Sequence, residues 1–177
     1  MLKLRPYRAG DGEIIAGWIK DEISMYKWSA DRFGEFPITG ESINEKYLIN
    51  DGDCTKPDNF YPYVACDESG AVVGHLILRY TNQDKTDIRF GFVIVDDTKR
   101  GMGLGKEMLL LALKIAYELL KAHKVTLGVF ENNLSAYYCY KSVGFHELVG
   151  CDTEYTINGE KWKCIELEMT KADYASK

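Results

Sequence analysis

Apolar residues recur with two different periods along this chain, and the points where the period changes divide it into elements. Lys3–Pro6 predicts a short opening strand. Asp11 is placed to cap a helix that carries Ile14, Ile15, Trp18 and Ile19 on one face. An aromatic-rich segment, Tyr26–Thr39, ends in Pro37-Ile38-Thr39, and Thr39 or Ser42 starts a helix running toward Asn50. Gly52–Asn59 reads as a loop. Alternation then takes over. Tyr61–Cys66 and Val72–Tyr80 form a predicted hairpin around the turn Asp67-Glu68-Ser69-Gly70. Asp87–Val95, rich in β-branched and aromatic residues, is a third strand.

Beyond the polar loop 96–105, helical spacing returns from about Gly103 to Leu120 through Met108, Leu111, Ala112, Ile115 and Leu119. Lys124–Val129 is a strand, and Asn133–Val143 a short helix stopped by Gly144. Two last strands, Phe145–Tyr155 and Lys161–Met169, join through Asn158-Gly159, a strong hairpin-turn pair. The order strand, helices, three strands, helix, strand, helix, two strands predicts a single mixed α/β (α+β) domain over residues 1–177.

Composition narrows the partners. A chain of 177 residues has room for one domain with a real core, and 46% hydrophobic with 28% charged residues is the balance of a soluble globular protein. Lys plus Arg number 22 against 27 Asp plus Glu, a formal net charge of −5. That argues against nucleic acid as partner, yet leaves room for a local basic pocket holding one small anion. The N-terminus lacks a signal-type apolar run, and the apolar stretch Met108–Leu120 is interrupted by Lys114 and Glu118, so no membrane association and a cytoplasmic setting are expected. Cysteines 54, 66, 139, 151 and 164 are odd in number and contain no Cys-x-x-Cys pair. That speaks against a disulfide framework and against a zinc finger, and no metal is expected.

The candidate chemistry starts at Arg100-Gly101-Met102-Gly103-Leu104-Gly105-Lys106, which follows a strand and opens the long helix. Glycines let the backbone approach a ligand closely, and the free N–H groups and dipole of a helix N-terminus favour an anion. Arg100 and Lys106 add positive charge, so a diphosphate is the natural guest. The Walker A pattern fails, because Arg100 stands where its first Gly belongs and Glu107 follows Lys106. The dinucleotide pattern fails at Lys106. R-x-x-G-x-G remains, alongside the plain alternative of a glycine-rich turn that binds nothing.

A second constellation, Asn133-x-x-Ala136-x-x-x-Tyr140-x-x-x-Gly144-Phe145, lies about 30 residues downstream on the next strand-helix unit. Together with the strand Phe92–Val95 and the turn Arg100–Lys106, it makes the chain resemble the GNAT N-acetyltransferase superfamily, most clearly from Val72 to Phe145. The stretch Gly128–Tyr137 looks closest to the branch that includes ribosomal-protein N-terminal acetyltransferases.

The resemblance implies a mostly antiparallel sheet that splays between its fourth and fifth strands, with acetyl-CoA in the resulting V. It assigns the pantetheine arm to the backbone of Val93, Ile94 and Val95, and the pyrophosphate to Arg100, Gly101, Met102, Gly103, Leu104, Gly105 and Lys106. Asn133 is assigned to the pantetheine region. Direct attack of a primary amine on the thioester is implied, with Tyr140 as general acid; Tyr137 and Tyr138 compete for that assignment by proximity. The acceptor is a small-molecule amine or a protein or peptide amine, and dimers are common in the fold. The two positions where family members carry a base are Arg89 and Gly128 here, so neither supplies a carboxylate. Glu131, Asp87 and His75 are further candidates, each with a plain structural reading.

The resemblance draws the acceptor site from the early helices and the last hairpin, here Tyr26–Thr39 and Cys151–Trp162. Both hold aromatics (Tyr26, Trp28, Phe33, Phe36; Tyr155, Trp162) beside acids (Asp31, Glu35; Asp152, Glu154), which suits a cationic amine and equally suits core packing with solvated loop charges. Cys139 raises the thought of an acyl-cysteine route, which the resemblance disfavours. The missing carboxylates also motivate an alternative, a non-catalytic acyl-CoA-binding or sensor module of the same fold.

Overall fold

The computed structural model describes residues 1–49 and 59–176; the loop expected over 52–58, with Cys54, lies outside them. Among the described residues β1 (Lys3–Pro6), β2 (Phe60–Cys66), β3 (Val72–Tyr80), β4 (Asp87–Val95), β5 (Lys124–Phe130), β6 (His146–Glu147), β7 (Thr153–Ile157) and β8 (Glu160–Thr170) form one sheet. Its order is β1-β2-β3-β4-β5-β8-β6, with β7 also paired to β8. Helices α1 (Asp11–Gly17), α2 (Glu22–Ser29) and α3 (Gly40–Ile49) precede β2, and α4 (Leu104–Lys114), α5 (Leu134–Val143) and α6 (Lys171–Ala175) follow β4, β5 and β8. No helix among the described residues is long and apolar enough to cross a membrane.

Every pairing but one is antiparallel. β4 and β5 run parallel and share a register only over Asp87–Arg89 against Lys124–Thr126. Beyond Arg89 the two strands part, which is the expected splay. β3 lies in the middle of the sheet and is buried along most of its length. One core cluster lies where α4 and α5 meet the sheet and includes Met108, Leu113, Phe90 and Phe145. A second gathers Ile15, Trp18, Met25 and Ile43 of α1–α3 against Val64 and Ile94.

Several sequence expectations change in detail. Asp11 is the first helical residue rather than the cap; its carboxylate accepts two hydrogen bonds from Arg5, at 2.7 and 2.8 Å, and one from Arg8 N–H at 2.7 Å. Ile14 is exposed, whereas Ile15, Trp18 and Ile19 are buried. Thr39, not Ser42, stands before α3 and accepts from Ser42 N–H at 3.1 Å. The long helix leaves α geometry after Lys114 and ends in a π-helical turn, Ile115–Leu119, closed by Leu120 N–H to the Ile115 carbonyl at 2.9 Å. The strand expected over Phe145–Tyr155 is two, because the chain turns between β6 and β7 through Gly150 at φ 81°. The Asn158-Gly159 turn has both residues at positive φ, 50° and 82°, as a two-residue hairpin with that sequence requires.

Candidate active site

The splay of β4 from β5 opens a cavity of about 540 Å³. A bulge shapes its wall. Across β3 and β4 the register shifts between His75–Ile94 and Ile77–Gly91, so β4 carries one extra residue there. Phe92 absorbs the distortion at φ 49°, in the left-handed region. A bulge of this kind re-aims the residues after it, and Val93, Ile94 and Val95 all line the cavity.

The opposite wall is the glycine turn. Gly101 and Gly103 sit at φ 79° and 80°, where any side chain is strained. Gly103 is the N-cap of α4 and no side chain caps it. The first-turn N–H groups of that helix therefore lack the side-chain acceptor they usually find. Arg100, Gly101, Gly103, Leu104, Gly105 and Lys106 line the cavity; Met102 does not, and its side chain is 69% exposed. Lys27 and Lys99 add further cations, Lys99 while paired with Asp67 at 3.1 Å.

α5 supplies the third wall. Asn133 is its N-cap and makes no side-chain capping bond, so its amide is left to the cavity it lines. Gly144, at φ 108°, ends the helix. Phe145, fully buried, then meets Phe90 of β4 edge-on at 6.3 Å, which fixes the helix against the strand. The Gly144-Phe145 end of the motif is thus an anchor for the residue one turn earlier.

That residue is Tyr140, 6% exposed, on the cavity wall. Burial holds its hydroxyl well above the ordinary tyrosine range, with the nearby Cys139 and Cys164 thiols adding to the shift. It is therefore a protonated phenol at neutral pH. Its neighbours differ: Tyr137 O–H donates to Glu147 at 2.5 Å, and Tyr138 is 65% exposed. Cys139 also borders the cavity, but burial raises its thiol, so it is not a thiolate poised for acyl-cysteine chemistry.

The candidate bases separate clearly. His75 is fully buried in the second core cluster's region and lines neither cavity. Its Nδ1 donates to the Tyr63 carbonyl at 2.8 Å and its Nε2 accepts from Tyr47 O–H at 2.6 Å. Burial lowers its pKa to about 4, so it stays neutral. Asp87 faces Lys124 at 3.5 Å, and Glu131 is an exposed turn residue.

Two further features border the site: one falls in the stretch Tyr26–Thr39 expected to meet the acceptor, and one went unread. α2 separates the large cavity from a smaller pocket of about 120 Å³, and Lys27 and Trp28 border both. The Trp28 ring stacks on Phe33 and leans on Phe92, each at 5.3 Å, and its buried Nε1 has no hydrogen-bond partner among the described residues. Such an orphan donor costs about 1–3 kcal/mol unless a ligand oxygen reaches it. The other is Glu166 on β8, whose carboxylate takes two hydrogen bonds from Arg89, at 2.6 and 2.9 Å. Glu166 shares the strand parity of the buried Trp162 and Cys164, and that was the available signal. Of the acids expected to greet an amine, Glu154 pairs with Lys161 and Asp152 with Lys163, both at 2.7 Å, Asp31 lies 3.9 Å from Arg32, and Glu35 is exposed.

The fold is that of the N-acetyltransferases. A spermidine N-acetyltransferase from Vibrio cholerae, solved with CoA and spermine, superposes with a TM-score of 0.80 at 23% identity, covering 98% of both chains. The model of the acetyltransferase (GNAT) family matches residues 23–145, and the chain belongs to that family; it is an N-acetyltransferase. Spermine/spermidine N(1)-acetyltransferase of Bacillus subtilis (strain 168) is 31% identical over 117 residues, 63% of this chain and 74% of that protein. The catalytic subunit ard1 of the N-terminal acetyltransferase A complex of Schizosaccharomyces pombe is 27% identical over 101 residues, 55% of this chain and 57% of that protein.

Proposed function

We propose that this protein transfers the acetyl group of acetyl-CoA directly to a primary amine, with Tyr140 as general acid. The observation that carries the reading is the single cavity in which the αL glycine turn, the re-aimed end of β4, the Asn133 amide and the Tyr140 phenol meet.

The residues fit acetyl-CoA. Arg100, Lys106 and the uncapped first turn of α4 would hold its pyrophosphate. The backbone of Val93–Val95, freed from β5 by the splay, would pair with the pantetheine amides as a strand edge does. Asn133 would bond the same arm. The bound thioester supplies an activated acyl group. Tyr140, kept protonated by burial, gives its proton to the departing sulfur, so the thiol rather than the thiolate leaves; the proton that the amine nitrogen sheds on becoming an amide passes to solvent, from which the phenol is restored. The smaller pocket across α2 receives the reactive end of the acceptor. Similar proteins act on polyamines and on protein N-termini, and both classes supply a primary amine.

The test is mass-spectrometric turnover. Purified protein and acetyl-CoA are given spermine, spermidine, peptides with free α-amines, lysine peptides and amino acids, with Tyr140→Phe in parallel. An acetylated amine formed by wild type and suppressed in the variant is the expected result. Acetyl-CoA binding without turnover of any of these amines, or turnover unchanged in Tyr140→Phe, would overturn this reading.

A further inference from the structure

We propose that the smaller pocket selects an acceptor amine that carries its own anionic group, a carboxylate or a phosphate, and turns away a polycation. This rests on the acetyl-transfer reading above and names the substrate class of that site.

The pocket is lined by one sign of charge. Lys27 and Arg32 border it from α2 and the turn after it, Arg79 from β3 and Arg89 from β4. No carboxylate stands among the described residues that line it. Arg79 and Arg89 lie directly opposite each other across the antiparallel β3–β4 pair, a relation in which like charges work against a sheet. Glu166 answers Arg89 with both oxygens, at 2.6 and 2.9 Å, and lines neither cavity, so it is not there to meet a ligand. Asp31 reaches only to 3.9 Å from Arg32, with 66% of its side chain exposed. Lys27 makes no ion pair among the described residues. The rest of the wall is largely apolar, with the rings of Trp28, Phe92, Phe130 and Tyr155. Low-dielectric walls concentrate the field of such charges inside a cleft.

Hydrogen bonding points the same way. An ammonium only donates and needs acceptors. The side chains here offer mainly donors: the guanidinium and ammonium groups, and on the same wall Trp28, whose Nε1 is without a partner among the described residues. An oxygen anion answers donors of this kind, and a guanidinium takes a carboxylate or a phosphate through two parallel bonds. The charge also bears on the nucleophile. An ammonium beside cations gives up its proton more readily. The nitrogen is thus presented as the free base at a site where Arg89 and Gly128 bring no carboxylate to deprotonate it.

The experiment measures kcat/KM for matched acceptors that differ by one charge: leucine and phenylalanine against leucinamide and phenylalaninamide, and O-phosphoethanolamine against ethanolamine. Spermine serves as the polycation. Turnover of any member decides the acetyl-transfer reading, and the ratio within a pair decides this one. At least one anionic member is expected to exceed both its neutral counterpart and spermine by about 10-fold or more, with a ratio that shrinks as salt rises. The pair that shows it tells a carboxylate from a phosphate. Arg79→Gln is expected to lower that ratio by about 10- to 100-fold, the worth of one hydrogen bond to a charge, with the acetyl-CoA KM within twofold. Arg79→Lys, which keeps the charge, recovers part of the loss. If Arg79→Gln does not fold, Arg32→Gln, outside the sheet, carries the same expectation. Calorimetric titration of the same pairs into the CoA-loaded protein reads the preference without turnover. Spermine or the neutral members equalling the anionic ones in turnover and binding would overturn the proposal, as would a ratio unmoved in a folded variant or a protein that binds none of them.

Discussion

The larger cavity is walled by a glycine turn, a bulged strand end and the cations Lys27, Lys99, Arg100 and Lys106; the smaller by arginines, aromatics and the edge of an ion pair. The first surface is set by φ angles. Gly101 and Gly103 hold conformations that only glycine adopts freely, and the bulge at Phe92 re-aims a strand. The second surface is set by which long side chains happen to meet across β4, β5 and β8. A cofactor common to many reactions needs a wall that does not vary. An acceptor that differs between relatives needs one that a few substitutions can rebuild, and the splay puts the two on opposite sides of α2.

The largest effect expected is on the chemistry between the two surfaces. Tyr140→Phe should lower kcat by about 10²- to 10⁴-fold while acetyl-CoA binding, measured by calorimetry, stays within twofold. Because burial raises the Tyr140 phenol, activity that depends on it is present through neutral pH and is lost only as pH climbs into the phenolate range above the ordinary tyrosine value. A Tyr140-dependent loss below pH 8 would contradict the assignment. Next, Gly103→Val places a β-branched residue at φ 80°. The strain, about 1–3 kcal/mol, should weaken acetyl-CoA binding by roughly 10- to 100-fold and leave amine binding to the smaller pocket alone.

Gly128→Ala breaks the comparison from the other side. Its Cβ meets Arg89 and Cys164 at 2.8 Å, so thermal unfolding should show a loss of about 1–3 kcal/mol and the amine KM should rise. Acetyl-CoA affinity should hold; if it falls as far as amine affinity, the two surfaces are not separable.

The smallest effect belongs to neither cavity. His75 is buried neutral, with its pKa lowered from 6.5 to about 4 by burial. The unfolded chain binds a proton in that window and the folded chain does not, so stability is whole above pH 6.5 and drains as pH falls toward 4. At pH 5.5 the loss is about 1.4 kcal/mol, read from denaturant melts of wild type against His75→Gln.

What the sequence shows of this molecule follows the same division. Asp87–Val95 and the Asn158-Gly159 turn were legible to the residue, because alternation and positive φ leave local marks. So was the glycine turn, whose residues have no other reason to be there. The proposed role of Tyr140 rests on spacing, and Gly144 and Phe145 fix the end of α5 from which Tyr140 is measured. Arg89 was visible only as a missing carboxylate. Its partner is 77 residues away, and nothing local to either residue announces a pairing made by strand register. Trp28 was legible as part of an aromatic stretch, whereas Lys27 went unread as a cavity wall, since α2 reaches the cleft only after the sheet has formed.

The brief contact between β4 and β5 has one more effect, on colloidal behaviour. A strand edge left without a partner is ordinarily where two molecules join and precipitate. Here the edges that part beyond Arg89 face the cleft, and the outer strands are short: β1 has 4 residues and ends at Pro6, β6 has 2 and β7 has 5. Backbone that would otherwise form an outer edge is turned inward, toward the cavity that Val93–Val95 line.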